Sequence, residues 1–93
     1  MTFGQRLKKV RKERGLTQKT LADIVGTTRE TISKYELDER EPPLSKAVSL
    51  SRALNINLLY LAGLTNEEYL NLTSLSSKTC SDIKFILRNN QND

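Results

Sequence analysis

Along residues 3–62, apolar positions recur at spacings of three and four in short blocks, each closed by glycine, asparagine or proline. That period belongs to amphipathic helices, since a half-buried strand would alternate at every second residue. Phe3, Leu7 and Val10 make the first stripe, on a helix from Thr2 or Phe3 to Arg14 that stops at Gly15. Thr17 is placed to cap a second helix over 18–25, with Leu21, Ile24 and Val25 as its expected buried stripe. A third helix, over 28–36 with Thr27 or Thr28 as its cap, turns Ile32 and Tyr35 inward. The polar loop 37–43 follows, and Pro43 suits the first turn of a fourth helix over 44–54. Its inner face is expected to carry Leu44, Ala47, Val48, Ser51 and Leu54. Asn55 ends that helix, Ile56 is expected to pack inward, and Asn57 caps a fifth helix over 58–62 that stops at Gly63. The chain therefore reads as all-α, with five helices in a domain over 1–63 and a helical tail over 64–93. In the tail, Thr65 and Glu68 have the spacing of a capping box ahead of Tyr69, and Cys80, Ile83, Ile86 and Leu87 predict a helix over 78–89. Periodicity gives that last helix an apolar face that meets either the domain or a partner chain.

Residues 18–37, QKTLADIVGTTRETISKYEL, hold the most specific pattern. Ala22 is small where two helices would cross, and Gly26 stands at the turn, where a positive φ is cheap only for glycine. The third helix opens on Thr28, Arg29 and Glu30 and keeps Ser33 and Lys34 outward, all able to donate or accept hydrogen bonds. A generic helical hairpin needs no such combination. It is the pattern of a helix-turn-helix whose second helix enters the major groove of DNA.

Charge changes the picture in the same direction. The chain of 93 residues carries +4, but residues 1–36 hold nine Lys/Arg against four Asp/Glu, and residues 37–93 hold six against seven. The basic half is the half with the helix-turn-helix, as a phosphate-binding face requires; each of Lys8, Lys9, Lys12 and Lys19 taken alone reads as a solvated helix face, and the asymmetry as a whole favours nucleic acid. There is no histidine, a single cysteine, no phosphate-cradling glycine loop and no carboxylate pair in a predicted cleft, so an enzyme, a cofactor and a metal site are not expected. No stretch approaches the roughly 20 apolar residues of a membrane span, and the basic start lacks the apolar run of a secretory signal. A cytoplasmic protein is expected. Five aromatic residues are few for RNA recognition by stacking.

With the leading RLKKVRKERGLT and the trailing PPLSKAVSLSRALNINLLYL, the same residues resemble the phage repressor and Cro-type helix-turn-helix domain of the XRE family, over residues 3–63. The resemblance implies a five-helix lambda-repressor-like DNA-binding domain that meets a pseudo-palindromic operator as a homodimer. It implies that Gln18 lies against a DNA phosphate and that Arg29, Glu30 and Lys34 reach base edges, with Thr28 and Ser33 beside them. It also implies an ion pair between Arg11 and Glu36 that joins the first and third helices.

Each candidate has a competing role. The Arg29 guanidinium can make two parallel hydrogen bonds to guanine, or contact a phosphate, or stay in water; Lys34 can meet a guanine or a phosphate. If Thr27 is the cap, Glu30 completes a capping box, the arrangement favoured here; if Thr28 is the cap, Glu30 is free to accept from cytosine or to orient Arg29. Thr17, Gln18 and Lys19 open a helix whose free N–H groups suit a phosphate. Arg40 and Lys46 are candidate phosphate contacts beside the groove, with pairing to Asp38, Glu39 or Glu41 the alternative for Arg40. Leu59 and Tyr60, successive residues of a one-turn helix, cannot both face inward and mark a candidate dimer patch. The expected function is a double-stranded-DNA-binding regulator, most simply a repressor; the competing one is an antitoxin-type module whose tail engages a protein partner.

Overall fold

Side-chain caps place most of the helix starts. In the computed structural model, which describes residues 1–69, Thr2 accepts from the Gln5 N–H at 3.1 Å while the Gln5 side chain accepts from the Thr2 N–H at 2.9 Å. This reciprocal box opens α1 (Phe3–Glu13). Thr17 accepts from the Thr20 N–H to start α2 (Gln18–Val25), and Thr28 accepts from the Thr31 N–H to start α3 (Arg29–Glu36). Asn57 caps α5 (Leu58–Leu61) through the Leu59 N–H. The exception is α4 (Leu44–Leu54), where Pro43 stands at the N-cap itself, one position before the first turn predicted for it, and offers no side-chain bond. Among the described residues there is no strand. The expected tail helix over 78–89, with Cys80, lies outside them.

The five helices close a ring of contacts that runs α1 to α3, α3 to α2, α2 to α4, α4 to α5 and back to α1. Leu7, Val10, Leu21, Ile32, Leu50, Leu54 and Leu61 are fully buried inside it, with Ala22 at the α2 crossing and Ile56 covering the α4–α5 link. Gly26 has φ 74° and ψ 41°, so the turn takes the left-handed conformation that its residue type predicts.

Two helix faces differ from their predicted positions. Ile24 is 56% exposed, because Leu21, Ala22 and Val25 define the buried arc of α2; at about 100° per residue Ile24 falls roughly 100° to one side of it. Leu44 is 71% exposed for the same reason, since the buried arc of α4 centres on Leu50 and Leu54, and Leu50 was absent from the predicted face. Both errors come from choosing the wrong three- or four-residue series where two were available.

The segment after α5 also departs from its predicted form. Residues 65–69 are not helical, and the Thr65 hydroxyl accepts from the Glu67 N–H rather than closing a box with Glu68. Glu68 instead meets the Lys9 ammonium at 2.5 Å, and its carbonyl accepts from the Asn57 N–H at 2.8 Å. Next to it the Tyr69 hydroxyl accepts from Arg14, whose guanidinium lies 5.9 Å from the ring centre. The chain is thereby strapped back onto α1.

A close approach at Gly4 has no counterpart in the predicted pattern. A methyl group there would stand 2.5 Å from the Tyr35 carbonyl oxygen and nearer still to that of Glu36, so only glycine lets α1 lie against the end of α3. The Gly4 N–H donates to Asp38 Oδ1 at 2.9 Å, and Asp38 itself adopts φ 60° just beyond α3.

Gly4→Ala is expected to destabilise the protein by about 2–3 kcal/mol, as overpacking against rigid backbone does; an unchanged urea midpoint would refute the close approach. The strap has a pH dependence with a definite sign. Hydrogen bonding to the Lys9 ammonium holds the Glu68 carboxyl below the usual carboxylate range, and the Lys9 ammonium is raised in turn by Glu68, Glu13 and Tyr60. A lowered carboxyl contributes above its ordinary value and loses that contribution as pH falls through the depressed one. The Glu68 carboxyl carbon should therefore titrate by NMR below free glutamate, and a midpoint at the ordinary value would mean no anchor.

Candidate nucleic-acid interface

The edge of α3 is built by a division between two faces. Ile32, Tyr35 and Glu36 are buried, whereas Arg29, Glu30 and Lys34 are exposed and Ser33 is half-buried beside them. Arg29 and Ser33, like Glu30 and Lys34, are four apart and so neighbours on one strip of surface. Among the described residues the side chains of Arg29, Glu30 and Lys34 have no hydrogen-bond or ion-pair partner, which leaves their polar groups for something outside the domain. Thr28, the cap, shares a hydrogen bond of 2.9 Å with the Thr31 hydroxyl. Since Thr28 and not Thr27 is the cap, Glu30 is the second helical residue, and the favoured capping-box role for it is excluded.

Behind that edge stands the ion pair. Arg11 donates from Nε to Glu36 Oε2 at 2.6 Å and from Nη2 to Oε1 at 3.2 Å, and its Nη1 reaches the Leu16 carbonyl at 2.8 Å. Gln18 Nε2 donates to Glu36 Oε1 at 3.0 Å. The side chains are nearly out of water, 9% and 2% exposed for Arg11 and Glu36. At the start of α2, then, Gln18 has one amide hydrogen on Glu36 and one left over. Thr17 is occupied as a cap, and Lys19 makes an exposed pair with Asp23 at 3.4 Å, of a kind that adds little stability.

The remaining predicted positions divide. Arg40 is exposed in the loop after α3 and, among the described residues, pairs with none of Asp38, Glu39 and Glu41. The Lys46 ammonium is directed at the end of α2, donating to the Val25 and Gly26 carbonyls. Tyr60 is 6% exposed, a core residue whose carbonyl accepts from Arg6 at 2.8 Å and whose ring lies 5.1 Å from the Arg6 guanidinium. It cannot belong to an exposed dimer patch. Leu59 is half-buried and lines an open apolar groove with Phe3, Pro42, Leu44, Leu58 and Ala62, where Asp38, Arg40 and Glu41 add polar groups. Leu44 was missed as a surface residue because its spacing to Ala47 and Val48 looked like core.

Much of the basic charge of the first half turns out to be used internally. Arg6, Lys9, Arg11, Arg14 and Lys19 all have intramolecular partners, which leaves Lys8, Lys12, Arg29 and Lys34 as the unpaired cations of residues 1–36. No helix among the described residues is long and apolar enough to cross a membrane.

A family model described as helix-turn-helix matches residues 7–61. Over 67 residues, 71% of this chain and 58% of the relative, the sequence is 42% identical to the uncharacterized HTH-type transcriptional regulator YqaE of Bacillus subtilis (strain 168). The immunity repressor protein of Bacillus phage phi105 is 40% identical over 63 residues, 68% of this chain and 44% of that protein. The P22 c2 repressor protein, solved in complex with a synthetic operator, superposes with a TM-score of 0.67 at 31% identity, covering 70% of this chain and 98% of that one. The chain spans less than two thirds of the length of these two curated relatives.

Glu36→Ala strands the Arg11 guanidinium in the interior and should cost about 3–5 kcal/mol, whereas Arg29→Ala, at an exposed and unpaired position, should leave the melting temperature within error of the parent. Equal melting temperatures for the two variants would refute the division into scaffold and edge.

Proposed function

The chain belongs to the XRE-type helix-turn-helix family of DNA-binding transcriptional regulators, and from that membership we propose that it binds a pseudo-palindromic operator in double-stranded DNA as a dimer and acts as a repressor. The observation that carries the reading is the unpaired polar edge of α3, Arg29, Glu30, Ser33 and Lys34, held outward by a buried face. In a major groove, Arg29 is the base reader, with two parallel bonds to guanine O6 and N7, and Lys34 is its neighbour on a guanine or a phosphate. Glu30, no longer occupied as a cap, accepts from cytosine N4. Thr28 is alongside, its hydroxyl shared with Thr31. Phosphates are met by the second amide hydrogen of Gln18, by the N–H groups at the start of α2 that the Thr17 cap leaves free, and by Lys19 and Arg40. Such a protein works in the cytoplasm, where bacterial DNA lies. Repression follows if the operator overlaps a promoter and polymerase is excluded.

The dimer is supported by the groove beside α5. An apolar surface holding Leu44 and Leu59 carries both a cation and acids, Arg40 with Glu41 and Asp38. Under a two-fold axis the apolar part of such a patch meets its own copy, Leu44 and Leu59 of one against the same residues of the other. Two α3 edges then meet successive major-groove faces about 34–36 Å apart.

Selection of bound duplexes from a random pool should recover a motif with two-fold symmetry, its half-sites about 10–10.5 base pairs apart. On that duplex, Arg29→Ala should cost about 1–3 kcal/mol and relax the preference at one base pair in each half. Sedimentation of Leu59→Asp should give a monomer where the parent gives a dimer. A recovered motif without symmetry, or a parent that sediments as a monomer when bound, would overturn the dimeric reading and leave the base-reading role of Arg29 to the first measurement.

A further inference from the structure

Lys46 is the third residue of α4, in a first turn that holds no acidic residue and where the dipole of its own helix disfavours a cation. Its half-buried ammonium donates to the carbonyl oxygens of Val25 at 2.9 Å and Gly26 at 3.3 Å. These are the last carbonyl of α2 and that of its left-handed cap. At Gly26 the chain turns away, so neither oxygen has a backbone donor among the described residues. The negative end of the α2 dipole accounts for the lysine that its own helix does not favour.

We propose that Lys46 is a positioning residue for the recognition helix, acting through the turn rather than through a DNA phosphate. Only Thr27 and Thr28 separate Gly26 from Arg29, so the two peptide planes held by the ammonium set the direction in which α3 leaves the turn. α4 thereby acts on the edge of α3 through the turn. An ammonium has three N–H donors and two are committed here, which is why the alternative, a phosphate on the third, has a distinct signature.

The first arm of the test uses the free full-length protein and is independent of the DNA-binding reading. In Lys46→Met, hydrogen exchange at the Gly26 and Thr27 amides, both bonded to the Ala22 carbonyl, should quicken about ten-fold, while the Leu16 amide, bonded to Arg11, is unaffected. Lys46→Arg, which keeps a cation for the two carbonyls, should exchange like the parent. Unchanged turn amides in Lys46→Met overturn the proposal. The second arm rests on the proposed function and uses a duplex recovered from the random pool, titrated at several salt concentrations where melts show every variant folded. Lys46→Met should bind about ten-fold more weakly, a shift of about 1.4 kcal/mol, with the slope of log K against log salt unchanged. A slope shallower by about 0.9 makes Lys46 a phosphate contact and overturns the proposal, as does undiminished affinity. If the parent binds no recovered duplex, the proposed function fails while the exchange result still decides the role of Lys46.

Discussion

The scaffold depends on one buried carboxylate. Glu36 sits at the end of α3 and accepts from Arg11 of α1 and from Gln18 at the first position of α2, so three helices are referenced to two oxygen atoms. The third Arg11 contact, on the Leu16 carbonyl, adds the α1–α2 loop to the same point. A hydrophobic cluster of equal volume would hold these helices at similar distances, and on stability alone it is often as good or better. What it lacks is direction. A guanidinium paired through two parallel bonds sets angle as well as separation, and the Gln18 amide inherits that orientation at the mouth of α2. Gly4 completes the arrangement by letting α1 approach the Tyr35 and Glu36 carbonyls, where any side chain would force the pair apart.

Holding a helix by its ends recurs elsewhere in the molecule. Asp38, just past α3, bonds an amide in the first turn of α1, and Lys46, in the first turn of α4, bonds the last carbonyls of α2. Arg14, at the end of α1, donates to the Leu54 carbonyl at the end of α4. In each case a charged side chain from one helix satisfies backbone groups that another helix leaves open at its terminus. Helices of eight to eleven residues have few turns with which to grip one another, and such contacts supply restraints that side-chain burial alone does not.

The parts of this design that were legible in the sequence are those with a local signature. Thr17, Asn57 and Gly26 each act on backbone atoms within a few residues, and the helices start and stop where they predict. The exposed edge of α3 was legible because a polar strip opposite Ile32 and Tyr35 is a single-helix property. Choosing between Thr27 and Thr28 as cap was not, since either hydroxyl satisfies the same rule and the packed helix decides. Ile24 and Leu44 were misplaced because periodicity gives an arc without saying where its centre lies, and the neighbouring helix sets that centre. Gly4, Asp38 and Lys46 act across 20 residues or more, and no local pattern marks them. The Arg11–Glu36 pair, 25 residues apart, came from family resemblance and could not have come from spacing.

The proposed function benefits from two copies because few cations of one domain are free to meet DNA. The raw count of nine cations in residues 1–36 overstates what is available, because five of them have partners within the domain. Lys8, Lys12, Arg29, Lys34, Arg40 and Arg52 are the unpaired cations among the described residues, and they are spread over four stretches of chain. Each phosphate neutralised contributes through released counterions, so a single domain with so few free cations has limited electrostatic affinity. Adding more lysines would strengthen binding to every sequence alike, since phosphate contacts carry no sequence information. Joining a second copy instead doubles base contacts and phosphate contacts together, and the second half-site is engaged at a high effective concentration. Specificity then rises with affinity. The economy works only if the dimer surface lies apart from the reading edge, and the groove at Leu44 and Leu59, bounded by α4 and α5, shares no residue with the α3 strip that begins at Arg29.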